Sequence, residues 1–260
     1  MANARFRLIA ALLACLVWAV ITLGVSLWQV GAGTSLEALV TERVVWATPL
    51  AALFMLAFVA VARWPHVGMR TPQPVASLKV MWLPALYLFV LLIGILFVIN
   101  SGHVLPTTFA LAMITLNTMV VGFSEELAFR GVLWDAFRKS LPFWPAFLLV
   151  SALFGLVHVL NALLTGAFDA AVVQALNAFM LGCAFQALRI RNRSIWPVMI
   201  LHWLWDCLIF ILVTLDNDPA AAPKGAFFMP FVMNGPLFVY SLFLVRSERV
   251  RAGWRDDTLT

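Results

Sequence analysis

The feature that most constrains this chain is the recurrence of uninterrupted apolar runs, each about as long as the roughly 20 helical residues that cross ~30 Å of hydrocarbon. Eight can be marked, at about 8–29, 44–62, 80–99, 106–130, 146–165, 170–188, 195–214 and 226–245. They are continuous rather than alternating, which predicts helices and not barrel strands. With 63% hydrophobic and only 11% charged residues, the chain has more apolar surface than a water-soluble fold can hide. The expected fold is all-α: a polytopic helical membrane protein of about eight transmembrane helices, one integral membrane domain over 1–260. The first run follows Arg5 and Arg7 as a signal peptide would. Its apolar core of about 21 residues exceeds the 7–15 of such a segment, so it is expected as a retained membrane helix.

The basic residues support the count. With both termini on the cytoplasmic side, the inner segments hold Arg5 and Arg7, then Arg63, Arg70 and Lys79, then Arg138 and Lys139. Arg189, Arg191 and Arg193 follow, and finally Arg246, Arg249, Arg251 and Arg255. The outer segments hold only Arg43 and Lys224, beside Glu37, Glu42, Asp169, Asp216 and Asp218. That is the positive-inside pattern of a multi-pass protein, expected here in a bacterial inner membrane. The net charge of +5 therefore reflects topology. No basic stripe suggests a nucleic-acid partner. The basic tail is expected near anionic headgroups.

Between the fourth and fifth runs, residues 131–145 interleave Trp134, Phe137 and Leu141 with Asp135, Arg138 and Lys139. This predicts a short amphipathic helix near 132–143 lying in the inner interface, with Gly131 ending the helix before it. Pro65, Pro72 and Pro74 break the connection from Arg63 to Lys79. Cys15, Cys183 and Cys207 all fall in apolar runs, are odd in number and lack zinc spacing, so they read as packing residues.

Ionisable residues inside a span are costly and mark function or a buried pair. The fourth run carries Glu125, Glu126 and Arg130, the fifth His158, and the seventh His202 and Asp206. Gln174, Asn177 and Gln186 on the sixth are uncharged. Glu126 and Arg130, four apart, share a helix face and can form an ion pair. Glu125 is five from Arg130, about 140° around the axis, and must face elsewhere. Phe154 with His158, and His202 with Asp206, repeat the four-residue spacing. At 1.5 Å per residue Glu125, His202 and His158 lie ~9, ~10 and ~18 Å inside the cytoplasmic boundary, compatible with one site. A carboxylate can take a proton from water, and an imidazole can hold that water or face an oxyanion. Glu125, His158, His202 and Asp206 could instead bind a divalent metal such as zinc, which would activate the water itself. Both routes lead to hydrolysis. The motifs of zincin, serine, aspartyl intramembrane and prenyl-diphosphate enzymes do not occur.

Three motifs carry a resemblance. They are Glu125-Glu126-x-x-x-Arg130 before Gly131; Phe154-x-x-x-His158; and Phe179-x-x-Gly182 leading to Ser194-Ile195-Trp196-Pro197 and His202-x-x-x-Asp206. In this order, on separate helices, they resemble the CPBP family of intramembrane proteases. That family includes type II CAAX prenyl endopeptidases and bacteriocin-processing or immunity-associated members. The resemblance covers about 122–206 and implies a protease core at about 106–214. It implies that Glu125 is the base that activates water, that His158 positions the water, and that His202 and residue 206 stabilise the oxyanion. Glu126 and Arg130 would order the site. Position 206 is often Asn in the family; an ionised Asp206 cannot donate to an oxyanion. It would be protonated, orient His202, or help bind a metal. The implied substrate is a membrane-embedded or membrane-associated peptide, lipidated ones included. Two other classes stay open: a membrane immunity or scaffold protein, and a proton-coupled transporter, for which inverted repeats would be the sign.

Overall fold

The structure, a computed structural model, describes residues 2–69, 78–215 and 229–252. Arg70, Pro72, Pro74, Asp216, Asp218, Lys224 and Arg255 lie outside the described residues. Among the described residues every regular element is helical. In chain order these are α1 (Ala2–Val30), α2 (Leu36–Glu42), α3 (Ala47–Val61), α4 (Trp82–Asn100), α5 (Thr108–Glu126) and α6 (Trp134–Ser140). Then come α7 (Phe143–Val157), α8 (Asn161–Thr165), α9 (Phe168–Asn192), α10 (Trp196–Leu215), α11 (Met229–Leu244) and α12 (Glu248–Ala252).

Six of the helical runs are long and apolar enough to cross a membrane. The second expected span, 44–62, is α3, which is too short to count alone; with α2 before it, bent by 85°, it makes a seventh if the pair is counted as one. The eighth is shorter, with Val232–Leu244 as its apolar stretch and Pro236 inside it. The protein is an integral, multi-pass membrane protein. Its outer faces agree: Phe89, Val90 and Phe97 on α4 are each more than half exposed, surface that hydrocarbon solvates and water does not.

Local chemistry sets the boundaries. Ser35 and Thr107 cap α2 and α5 by accepting from Ala38 N and Ala110 N. Gly166 closes α8 in the left-handed region at φ +73°. Arg193, at φ +57°, turns the chain from α9 into α10, and Ser194 Oγ accepts from Trp196 N at the new start.

α9 is the central helix: 61% of its apolar window is buried within the protein, against 17% for α1 and for α4. It packs between α7 and α11, while α10 packs on α5 and α4, and α1 on α3. Two glycines permit close approach of helix backbones. A Cβ at Gly155 on α7 would sit 2.7 Å from Ala175 O of α9, and one at Gly122 on α5 would sit 2.9 Å from Trp203 N of α10.

The region around 131–145 departs from expectation. Gly131 does not end the helix. α5 continues through a π-helical segment, Leu127–Leu133, into α6, giving one run from Thr108 to Ser140. A glycine is suited here by packing: a Cβ at 131 would lie 3.2 Å from Leu127 Cδ1 and 3.4 Å from Val67 Cβ. The helix near 132–143 exists as α6, but Trp134, Asp135, Phe137 and Arg138 are all buried, so it lacks the solvated polar face expected of it. Asp135 accepts from Arg7 Nη2 at 2.9 Å and Arg138 Nη2 at 3.0 Å, with Lys139 Nζ at 3.3 Å. The charges that suggested an interface instead satisfy one another inside the protein.

Candidate active site

The site is built on the junction where α5 becomes π-helical, a distortion often found at functional positions. Glu126 is its last α-helical residue. Its Oε1 accepts from Arg130 Nη1 at 3.0 Å, with both side chains fully buried. The i, i+4 pair expected from sequence is formed. Arg130 has further partners on other helices. Its Nη2 donates to Gly182 O on α9 at 3.2 Å, and its guanidinium lies 3.9 Å from the Phe154 ring centroid on α7. A Cβ at Gly182 would come within 3.3 Å of Arg130 Nη2 and 3.1 Å of Phe154 Cδ1. The Phe179-x-x-Gly182 motif thus places a glycine where arginine and phenylalanine converge.

Glu126 Oε1 has a second partner, His202 Nδ1 on α10, at 2.9 Å. A carboxylate held by arginine accepts rather than donates, so Nδ1 carries the proton. The other ring nitrogen faces forward: His202 Nε2 lies 3.3 Å from Asp206 Oδ2 and 3.8 Å from Glu125 Oε2. Acceptors thus stand at both ring nitrogens, an arrangement satisfied by a doubly donating ring.

Glu125 faces away from Arg130 and toward His202. Its Oε2 is buried with no hydrogen-bond partner, while its side chain is 14% exposed, into a cavity. The cavity has a volume of about 430 Å³, and Glu125, His158, His202 and Asp206 all line it. His158 sits where α7 gives way to a 3-10 turn, and its Nδ1 is 2.7 Å from Phe154 O. A carbonyl only accepts, so this nitrogen donates, and neutral His158 keeps a bare Nε2. Phe154 serves both histidines, edge-on to His158 at 5.0 Å and to His202 at 5.9 Å.

Of the six residues singled out by sequence, four therefore share the cavity. Glu126 and Arg130 lie fully buried behind its wall and reach it through His202. Sequence reasoning missed other lining groups: Asn161, Asn234 and Trp18. Trp18 Nε1 donates to Ser124 Oγ at 2.8 Å, fastening α1 beside Glu125. Single asparagines and a tryptophan in apolar runs look like boundary residues. The only available signal was that Asn161 and Asn234 are amides inside spans.

Glu125, His158, His202 and Asp206 were also candidate ligands for a divalent metal. Among the described residues, no group of three or more His, Cys, Asp or Glu side chains is arranged to hold one. His202 has its Nδ1 engaged by Glu126, and His158 has its Nδ1 turned to a carbonyl. The side chains as they stand do not form a metal set. Cys15, Cys183 and Cys207 are free.

Fold and site together define a polytopic helical membrane protein with a buried carboxylate–imidazole cluster opening on an internal cavity. Residues 106–208, which hold all six site candidates, match the family model described as Type II CAAX prenyl endopeptidase Rce1-like. The match falls on the stretch that carries the motifs, and it supports a CAAX-type intramembrane protease at family level. Comparison with curated proteins gives no match.

Proposed function

We propose that the protein is an intramembrane endopeptidase in which Glu125 activates water. The observation that carries this reading is the unpartnered, buried Glu125 Oε2, 3.8 Å from His202 Nε2, on a cavity that His158 and Asp206 also line. Glu125 takes a proton from water as the water oxygen attacks the scissile carbonyl. Neutral His158 offers its Nε2 as an acceptor that orients the same water. The C–O bond forms, and the carbonyl oxygen becomes an oxyanion within reach of His202 Nε2–H. Collapse breaks the C–N bond, and Glu125 returns the proton to the departing amine.

Glu126 and Arg130 act through position. By accepting from Nδ1, Glu126 leaves His202 Nε2 as the nitrogen that faces the cavity, in the way a carboxylate orients a catalytic imidazole. Asp206, 3.3 Å from that nitrogen, acts as an acceptor that holds the ring and stabilises its charged form.

The substrate is a peptide at or within the membrane, and the family's description makes a prenylated CAAX peptide the first to try. The basic inner loops support an orientation with both termini in the cytoplasm.

The test compares the wild type with Glu125→Gln in liposomes holding a farnesylated CAAX peptide, with products read by mass spectrometry. Gln keeps the shape and removes the base. Cleavage should fall by about 10²–10⁴-fold. A Glu125→Gln protein that cleaves as fast as the wild type would sink the mechanism.

A further inference from the structure

A row of side-chain amides leads away from His158 along the cavity wall, and the proposed mechanism uses none of them. Asn161, three residues after His158, donates from Nδ2 to Gln174 Oε1 at 2.9 Å. Asn177, three residues after Gln174 on α9, donates from Nδ2 to Val173 O at 3.2 Å. Asn177 Oδ1 accepts from Asn234 Nδ2 on α11. All four amides line the same cavity as Glu125 and His202.

The hydrogen-bond direction along this row is determined from one end. Val173 O can only accept, so Asn177 must present its nitrogen there and its oxygen to Asn234. Asn234 must then answer with its nitrogen. That leaves Asn234 Oδ1 as an acceptor, and it is buried without a partner on a residue 3% exposed. Such an oxygen costs free energy until a donor meets it. At the other end Gln174 commits its oxygen to Asn161, which leaves Nε2 as a donor. The wall therefore offers a neutral donor and a neutral acceptor, the complement of an amide group. It carries no charge that would select an ion. Leu39, Ile209 and Phe210 add apolar lining to the same cavity, suited to side chains or a lipid.

We infer that this amide row binds the main chain of the substrate peptide, with Asn234 Oδ1 accepting one backbone N–H and so setting which bond reaches Glu125. The inference rests on the endopeptidase reading and adds to it a positioning residue, Asn234, and a peptide subsite.

The experiment uses a series of farnesylated CAAX peptides, each with one backbone N–H replaced by N–CH3. KM and kcat are measured for the wild type and Asn234→Leu in liposomes, and binding of the same peptides is measured on Glu125→Gln. Methylation at one position should raise KM of the wild type about tenfold, the effect of losing a bond to a buried acceptor. The same methylation should weaken binding to Glu125→Gln by a similar factor and leave Asn234→Leu unaffected. Where Asn234→Leu does not fold, the double replacement Asn177→Leu/Asn234→Leu removes both partners and serves in its place. If every methylation costs the variant as much as the wild type, the inference is wrong while the endopeptidase reading stands. If the wild type neither cleaves nor binds any of the peptides, the endopeptidase reading falls and the inference falls with it.

Discussion

His202 Nδ1 lies 2.9 Å from Glu126 Oε1, the same oxygen that takes Arg130 Nη1 at 3.0 Å. One carboxylate oxygen thereby links the arginine of the π-helical segment to the histidine of α10. The two adjacent glutamates consequently have opposite surroundings. Glu126 is held through Oε1 by Arg130 and His202 behind the cavity, whereas Glu125 lines the cavity with an Oε2 that takes no hydrogen bond.

The first prediction follows from that contrast. Glu125→Gln should abolish cleavage while changing thermal stability in detergent little, since Glu125 Oε2 takes no hydrogen bond and its charged neighbour, His202 Nε2, stands 3.8 Å away. Glu126→Gln should lower both, because it strands Arg130 in the interior. Removing one partner of a buried pair costs about 3–5 kcal/mol. Unfolding followed by intrinsic tryptophan fluorescence checks it, and equal stability losses in the two variants would refute it.

Asp206 provides the second. Its carboxylate accepts at His202 Nε2, and an asparagine oxygen can accept there as well. Asp206→Asn should therefore keep cleavage within about tenfold of the wild type, whereas Asp206→Leu should lose about 10²-fold, as expected when a general acid–base partner is removed. Activity assays on the farnesylated peptide separate the two. Similar losses for Asn and Leu would show that the negative charge, rather than an acceptor, is what matters.

Helix packing gives a third. An alanine at Gly155 meets backbone, Ala175 O at 2.7 Å, while one at Gly182 meets side-chain atoms of Phe154 and Arg130 at 3.1 and 3.3 Å. Overpacking costs about 1–3 kcal/mol. Gly155→Ala should sit at or above the top of that range because a helix axis must move. Gly182→Ala should fold, yet lose activity by displacing Arg130. Melting temperatures and cleavage rates measured side by side decide it.

A fourth concerns Asp135, a buried carboxylate touched by Arg7, Arg138 and Lys139. Asp135→Asn should destabilise the protein by about 3–5 kcal/mol, as breaking a buried ionic cluster does. KM of whatever folded protein remains should not change, because Asp135 is not among the residues that line the cavity. Yield from detergent extraction and the KM of the purified fraction test the two halves separately.

Much of the fold was legible because a bilayer imposes a simple rule. Apolar runs of about 20 residues must be helices there, and most of the eight marked runs are helices of that kind. The pairing of Glu126 with Arg130 was equally legible, since both lie on one helix and spacing alone relates them. The buried face of α6 was not. Its alternation of aromatic and charged residues suits a membrane surface as well as an ionic cluster, and only Arg7, 128 residues earlier, distinguishes the two.

By itself, then, the sequence determined the helical membrane class, the ordered motifs and the separation of Glu125 from its neighbour, because each depends on composition or on spacing within one helix. Tertiary structure decided that Glu126 reaches His202, that Phe154 lies over Arg130, and that Asn234 ends a row of amides on the cavity of Glu125. Those relationships join helices far apart in the chain, and their geometry follows from how glycine-lined helix faces approach one another.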